Sequence, residues 1–202
     1  MQTADIGVVI LAAGRSSRLG QPKQLVAFRK KTLLQHVLDE ASQIKFSTRL
    51  LILGAHAEEI LAKTDTGNAA VVQNEQWEEG MASSLRLGVQ ETLEAHPYTE
   101  HILFLLSDQP FVSAKLLEEL IRIQIEGSHK ITASQGKDRM GVPAIFARSL
   151  FPSLLRLEGD EGGRQLLRKH KAFMGRVTFE GWHFDVDTPE DLERLKQLEK
   201  ED

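Results

Sequence analysis

The stretch VVILAAGRSSRLGQPKQL, Val8 to Leu25, passes from apolar residues into glycine, serine and cations. Gly14 and Gly20 permit backbone conformations that turn N–H groups toward an anion. Ser16 and Ser17 add hydroxyl donors, and Arg15, Arg18 and Lys23 add positive charge. Many donors, several cations and little bulk are what a triphosphate requires. Composition alone leaves a solvated surface loop equally open. Two common phosphate motifs are excluded: Lys23 does not fit G-x-x-x-x-G-K-[ST], and the G-x-G of a dinucleotide fingerprint is missing.

A triphosphate site calls for a divalent cation, and hard cations take oxygen ligands. Asp108, in LFLLSDQPFV, follows an apolar run that Pro110 ends. A plain turn aspartate is the alternative there. In HFDVDTPEDL, Asp185 and Asp187 share a face if the segment is a strand. Two such carboxylates repel unless a cation or water separates them. An exposed strand end leading into a helix accounts for them as well. The seven histidines show no metal spacing, and His183 reads as a polar strand residue. No His/Asp arrangement is legible around Ser83 and Ser84, which disfavours a serine hydrolase.

Small residues mark three further places. Gly80, Ala82, Ser83 and Ser84 lie where a helix begins, and a helix start offers free N–H groups. Tight packing at a loop-to-helix junction explains them equally. DRMGVPAIF holds Gly141 and Pro143, and LEGDEGGRQLL holds Gly162, Gly163 and Arg164. The planar fork of Arg164 suits a phosphate, while a flexible connection with a surface arginine is the plainer account. Trp77 and Trp182 are more readily packing residues than stacking platforms.

These residues need a scaffold that gathers them. The runs from Gly7 to Ala12, Arg49 to Gly54, Ala69 to Gln73 and His101 to Ser107 are apolar without alternation, as in strands covered on both faces. Later strands are expected at Lys130 to Ser134, Pro143 to Ala147 and within Arg176 to Asp187. Helical spacing links Leu33, Leu34, Val37, Leu38, Ala41 and Ile44, and again Leu116, Leu117, Leu120, Ile121 and Ile125. Thr188, Pro189 and Asp191 spell the start of a last helix. This alternation predicts an α/β fold: a single open, mainly parallel sheet flanked by helices, in one domain over residues 1–202. Ligands of such sheets bind at the carboxyl ends of the strands, where the Ala12–Lys23 loop and Asp108 both fall.

The chain has 202 residues, 41% hydrophobic and 27% charged, an ordinary globular composition that argues against wholesale disorder. A net charge of −4 argues against bulk binding to nucleic acid or an anionic membrane, so any basic site is local. The absence of cysteine excludes thiolate chemistry and fits a reducing cytoplasm. MQTADIGVV lacks a basic n-region or a cleavable apolar stretch, and runs such as Ile102 to Leu106 are far too short to span a bilayer. The expected location is cytoplasmic.

Taken together, the strings resemble one family. Leu-Ala-Ala-Gly-x-Ser-x-Arg-x-Gly-x-x-Lys at Leu11 to Lys23 is similar to the signature loop of Rossmann-like nucleotidyltransferases of the nucleotide-diphospho-sugar transferase type. Leu-x-Asp-Gln-Pro at Asp108 and Gly-Met-x-x-Ser-Leu-Arg-x-Gly at Gly80 to Gly88 resemble the molybdenum cofactor cytidylyltransferases. The resemblance runs from the first strand to Thr188-Pro189-Glu190-Asp191, with the motifs in the expected order. One departure is Lys30 and Lys31, where many relatives carry a glycine.

The resemblance implies CMP transfer from CTP to a molybdopterin phosphate. It implies nucleotide contacts from Leu11, Ala12, Ala13, Gly14, Arg15, Ser16, Ser17, Lys23, Gly80, Ser83, Ser84 and Asp108. Lys23, Arg18 and Asp108 would be catalytic. Mg²⁺, or else Mn²⁺, would sit on Asp108 with Asp185 as first choice of second ligand and Asp187 as the other. Gly141, Pro143, Gly162, Gly163 and Arg164 would meet the acceptor. GTP in place of CTP, another acceptor phosphate, and a non-catalytic cofactor chaperone are the rival readings. A transient contact with a molybdoenzyme or its chaperone follows from the acceptor.

Overall fold

A computed structural model describes residues 5–136, 139–160, 162–179 and 186–201. The first strand, β1 (Ile6–Ala12), is buried along its whole length. Parallel to it on one side runs β4 (Thr48–Leu53), and on the other β6 (His101–Leu106). Beyond β4 lies the edge strand β5 (Ala70–Gln73). Beyond β6 come β8 (Met140–Ala147), β7 (Ile131–Gln135) and β9 (Gly175–Thr178). Among the described residues the sheet therefore has seven strands in the order β5-β4-β1-β6-β8-β7-β9. Among the described residues only β8 runs against its neighbours. A separate hairpin joins β2 (Ala27–Phe28) and β3 (Lys31–Thr32).

Helices cover both faces, as the unbroken apolar strands require. The side chains of Val8, Ile10 and Ala12 point to the face packed by α1 (Leu33–Ser42), α2 (Ala57–Leu61) and α4 (Ala114–Glu126). Val9 and Leu11 point to the face packed by α3 (Met81–Ala95), α5 (Phe151–Leu154) and α6 (Arg164–His170). Each fully buried leucine in these layers, such as Leu34 or Leu117, contributes about 1.5–3 kcal/mol of transfer free energy. Polar residues set where the helices start. Thr32 Oγ1 accepts from Gln35 N at 3.1 Å, and Ser113 Oγ from Leu116 N at 3.3 Å.

A third, smaller core matters most for the site. Val26, Phe28 and Leu33 pack with Val186 and with Leu195 of the last helix, α7 (Pro189–Glu201), and Leu19 joins them. This cluster brings the chain just before α7 alongside the loop after β1. The start of α7 is closed reciprocally, as its sequence predicts. Asp191 N donates to Thr188 Oγ1 at 3.2 Å, and Thr188 N donates to Asp191 Oδ2 at 3.0 Å.

The departure at Lys30 also has a structural reading. Arg29 and Lys30 are the two residues between β2 and β3, and both have positive φ, 45° and 66°. A two-residue hairpin with that geometry favours glycine, whereas here both positions carry long cationic side chains.

Candidate active site

Because β1 and β6 are parallel neighbours, the loops leaving their carboxyl ends lie side by side. The first carries Lys23 on a short helical turn (Lys23–Leu25), and the second carries Asp108. Lys23 Nζ lies 2.5 Å from Asp108 Oδ2 and 3.0 Å from Asp187 Oδ1. Arg18 completes the group, with a guanidinium nitrogen 3.0 Å from Asp187 Oδ2. Side-chain exposure rises outward through the cluster, from 3% at Asp108 through 21% at Lys23 and 39% at Asp187 to 69% at Arg18. The cluster therefore runs from the sheet edge into solvent.

Burial alone pulls the Lys23 ammonium toward its neutral form. Asp108 and Asp187 outweigh that, and the pKa of Lys23 lies above the ordinary lysine value. Burial pushes Asp187 up, but Lys23 and Arg18 outweigh it and hold the carboxyl below the usual range. A cation that stays charged and a carboxylate that stays ionised thus sit side by side at this end of the sheet. Among the described residues, Asp108 Oδ1 is buried without a hydrogen-bond partner. A buried, unpartnered carboxylate oxygen beside a second carboxylate suits a hard divalent ion, which such a donor set would satisfy. The described residues contain no group of three or more His, Cys, Asp or Glu for a metal, so phosphate and water oxygens would complete the shell. Asp185 and His183 lie outside the described residues.

The loop before Lys23 is arranged for an anion in a way the sequence does not announce. Four successive carbonyls are engaged by the protein. Leu11 O accepts from Ser107 N, and Ala13 O from Ala55 N. Ala12 O and Gly14 O both accept from Gln24 Nε2, at 2.7 and 3.2 Å. Oxygen lone pairs that would repel a phosphate are thereby occupied. Leu11, Ala12 and Ala13 are buried, whereas Gly14, Arg15 and Ser17 are exposed. A Cβ placed on Gly14 would meet nothing within 4 Å, so its face is open. Ser16 adopts a left-handed φ of 56°, and its Oγ accepts from Lys23 N at 3.1 Å, which ties the loop into a ring.

At the start of α3 the small residues are tightly used. Gly80 has φ 116°, and a Cβ there would approach the Gly159 backbone to 2.7 Å. Of the amides expected to be free, Ala82 N donates to Gly159 O and Ser83 N to Gly80 O. Ser83 and Ser84 are buried, each with its hydroxyl 2.9 Å from Asn74 Nδ2. The turn at Gly159 is thus seated on the start of α3. Arg86 holds it there, with a two-pronged ion pair to Glu79 at 2.5 and 2.7 Å and a 2.7 Å bond to Leu157 O. Arg164 opens α6 and is exposed.

Because β8 is antiparallel, its first residues, including Gly141 and Pro143, lie at the same sheet edge as Asp108. Gln109 Nε2 donates to Val142 O at 3.1 Å across that junction. Trp77 packs over Gly54, where a Cβ would come within 2.6 Å of it; Trp182 lies outside the described residues. Gln24 and Asn74 were not legible as site-forming residues; their only signal is a polar side chain inside an otherwise apolar or small-residue string. Arg86 stands in the Gly-Met-x-x-Ser-Leu-Arg string, but its clamp on Glu79 and Leu157 was not legible there.

Residues 8–173 match the MobA-like NTP transferase domain. The chain belongs to that family. It is 30% identical over 197 residues to nicotine blue oxidoreductase of Paenarthrobacter nicotinovorans, covering 93% of this chain and 94% of that one. It is 29% identical over 206 residues to the purine catabolism protein PucB of Bacillus subtilis (strain 168), covering 94% and 95%. The crystal structure of Rv0371c from Mycobacterium tuberculosis H37Rv superposes with a TM-score of 0.84 at 34% identity, covering 97% of this chain and 100% of that one. A complex of Rv0371c with manganese superposes at 0.81 and 32% identity, covering 96% and 98%. The transferase is an enzyme of the nucleotidyltransferase class, on the Rossmann-like sheet that the sequence predicts. Among the described residues no helix is long and apolar enough to cross a membrane.

Proposed function

We propose that the protein transfers CMP from CTP to the terminal phosphate of molybdopterin, with or without its molybdenum, and releases pyrophosphate. The observation that carries this reading is the Lys23 ammonium seated between Asp108 and Asp187 beside a loop whose carbonyls are turned inward. The family supports an NTP substrate. The choice of CTP rests on the Leu-x-Asp-Gln-Pro and Gly-Met-x-x-Ser-Leu-Arg strings.

The chemistry asks little covalent work of the chain. A phosphate monoester, with a second pKa of about 6, is already largely ionised near neutrality, so no protein base is needed. The obstacle is charge: two anionic phosphates must meet in line. Lys23, Arg18 and the amides of Gly14 to Ser17 hold the triphosphate and offset its charge. Asp108, with Asp187 or Asp185, would hold Mg²⁺ or Mn²⁺. Such an ion supplies further neutralisation of the phosphate oxygens when bound. Gly141, Pro143, Gly162, Gly163 and Arg164 form the acceptor side, and Gly80, Ser83 and Ser84 shape the wall beside the base. The whole chain, residues 1–202, acts as one cytoplasmic domain and hands its product to a molybdoenzyme or that enzyme's chaperone.

The test offers each NTP with Mg²⁺ and molybdopterin and measures pyrophosphate. CTP-dependent release is the expected result. GTP dependence would move the assignment to guanylyl transfer. Binding of molybdopterin without release from any NTP would make the protein a cofactor chaperone. One relative is named an oxidoreductase, which raises redox chemistry as a second reading. Consumption of NAD(P)H without pyrophosphate release would favour it. Within the transfer reading, Asp108→Asn and Lys23→Ala each lower the rate by about 10²–10³-fold with the fold retained by circular dichroism.

A further inference from the structure

The carboxylates assigned to a divalent ion are already engaged by cations of the chain itself. Of their four oxygens, Lys23 contacts Asp108 Oδ2 and Asp187 Oδ1, and Arg18 contacts Asp187 Oδ2. Only Asp108 Oδ1 is without a partner among the described residues. An ion joining Asp108 to Asp187 would therefore meet the Lys23 ammonium at close range. Two cations that near repel strongly where water is scarce, and Asp108 is 3% exposed. Ion and ammonium cannot both keep these oxygens.

The side chains differ in how readily they yield. Asp108 is fixed by burial at the end of a central strand. The Lys23 backbone is held as well, by the Ser16 hydroxyl and the buried Pro22 before it. Its four-carbon stem remains flexible and ends in a compact charge. The ammonium can leave the carboxylates by rotation alone, provided that another anion receives it. In the reading given above, the arriving triphosphate is that anion.

We propose that Lys23 is a placeholder for the divalent ion. It keeps free metal from binding tightly, and it yields the carboxylates when a triphosphate offers the ammonium new oxygens. Metal and nucleotide then bind cooperatively, each tightening the other by the same factor. The site thereby selects the metal–nucleotide complex over either component alone. This inference rests on the site being a triphosphate site, and its test separates the two ideas.

Mn²⁺ binding to the full chain is measured by electron paramagnetic resonance, with and without a non-hydrolysable CTP analogue. Wild type is expected to bind Mn²⁺ weakly alone and at least tenfold more tightly with the analogue. Lys23→Met is expected to bind Mn²⁺ alone at least tenfold more tightly than wild type, with the gain from the analogue reduced below threefold. Lys23→Gln, read the same way, serves if the methionine variant does not fold. Mn²⁺ affinity in the lysine variants equal to or below wild type, with binding lost in Asp108→Asn, overturns the placeholder and leaves the site reading intact. Retention of Mn²⁺ binding in Asp108→Asn overturns the site reading itself.

Discussion

Gln24 shows how one buried amide can prepare a loop for a polyanion. Its side chain is fully buried and donates to the carbonyls of Ala12 and Gly14. Without those donors, both oxygens would be free to face the phosphates. Gln24→Met keeps the length and volume while removing both hydrogen bonds. The loss of two net hydrogen bonds costs about 1–3 kcal/mol of stability. The larger effect is expected on nucleotide binding: KM for the NTP rises about tenfold or more while kcat stays within threefold, because the reacting groups are untouched. Steady-state kinetics with a parallel thermal melt checks this. An equal fall in kcat would instead make Gln24 part of the transition-state machinery.

At the scale of elements, α3 is the piece whose placement the site needs most. Its start carries Gly80 against Gly159, and one turn further Arg86 clamps Glu79 and Leu157 O. Its distance from the sheet is set by Gly88, where a Cβ would lie 2.7 Å from Val9 Cγ1. Alanine normally exceeds glycine by about 1 kcal/mol in a helix interior. Here the methyl would press on a fully buried, β-branched side chain, and overpacking of that kind costs about 1–3 kcal/mol. Gly88→Ala is therefore expected to destabilise by about 1 kcal/mol despite its better propensity. Urea denaturation checks the sign; a stabilised variant would mean that α3 is free to move outward.

For the molecule as a whole, one buried network ties the end of α4 to the start of both β6 and β7. Gln124, fully buried, donates to His129 O at 2.6 Å and to His101 Nδ1 at 3.2 Å, and accepts from Thr132 Oγ1 at 2.7 Å. An amide nitrogen can only donate, so His101 must present a bare Nδ1 and is neutral. Burial likewise pushes its pKa below the ordinary 6.5, against the weaker pull of Glu100 and Asp5. The sign follows from linkage. Below 6.5 the unfolded chain binds a proton that the folded chain resists, so stability is full above that value and falls as pH drops toward the depressed folded value. Thermal melts from pH 7.5 to 5 should show this loss. His101→Gln, which cannot charge, should flatten the dependence while costing stability at pH 7.5.

The central strands β1, β4 and β6 were legible because strands buried on both faces cannot tolerate polar interruption, whereas Ala69 to Gln73, expected to be covered, forms the largely exposed edge strand β5; the caps at Thr188 and Asp191 are local chemistry. From those runs and the carboxyl-end rule, Lys23 and Asp108 were expected at one edge, and they meet there. The start of α3 was expected to offer free amides, but the Gly159 turn folds back and uses one of them, a contact between segments far apart in the chain. Asp187 reaches Lys23 and Arg18 only because Val186 and Leu195 pack with Val26 and Phe28. In the sequence Gln24 is any polar residue beside a lysine; the fold alone puts its amide beneath two carbonyls. The local pattern of the chain suffices to say which segments form most of the sheet and which residue types sit at its ends, since burial and backbone preference act over a few residues. Which distant side chains share a proton, a charge or a ligand was decided by tertiary packing alone, because those energies depend on distances that no local rule contains.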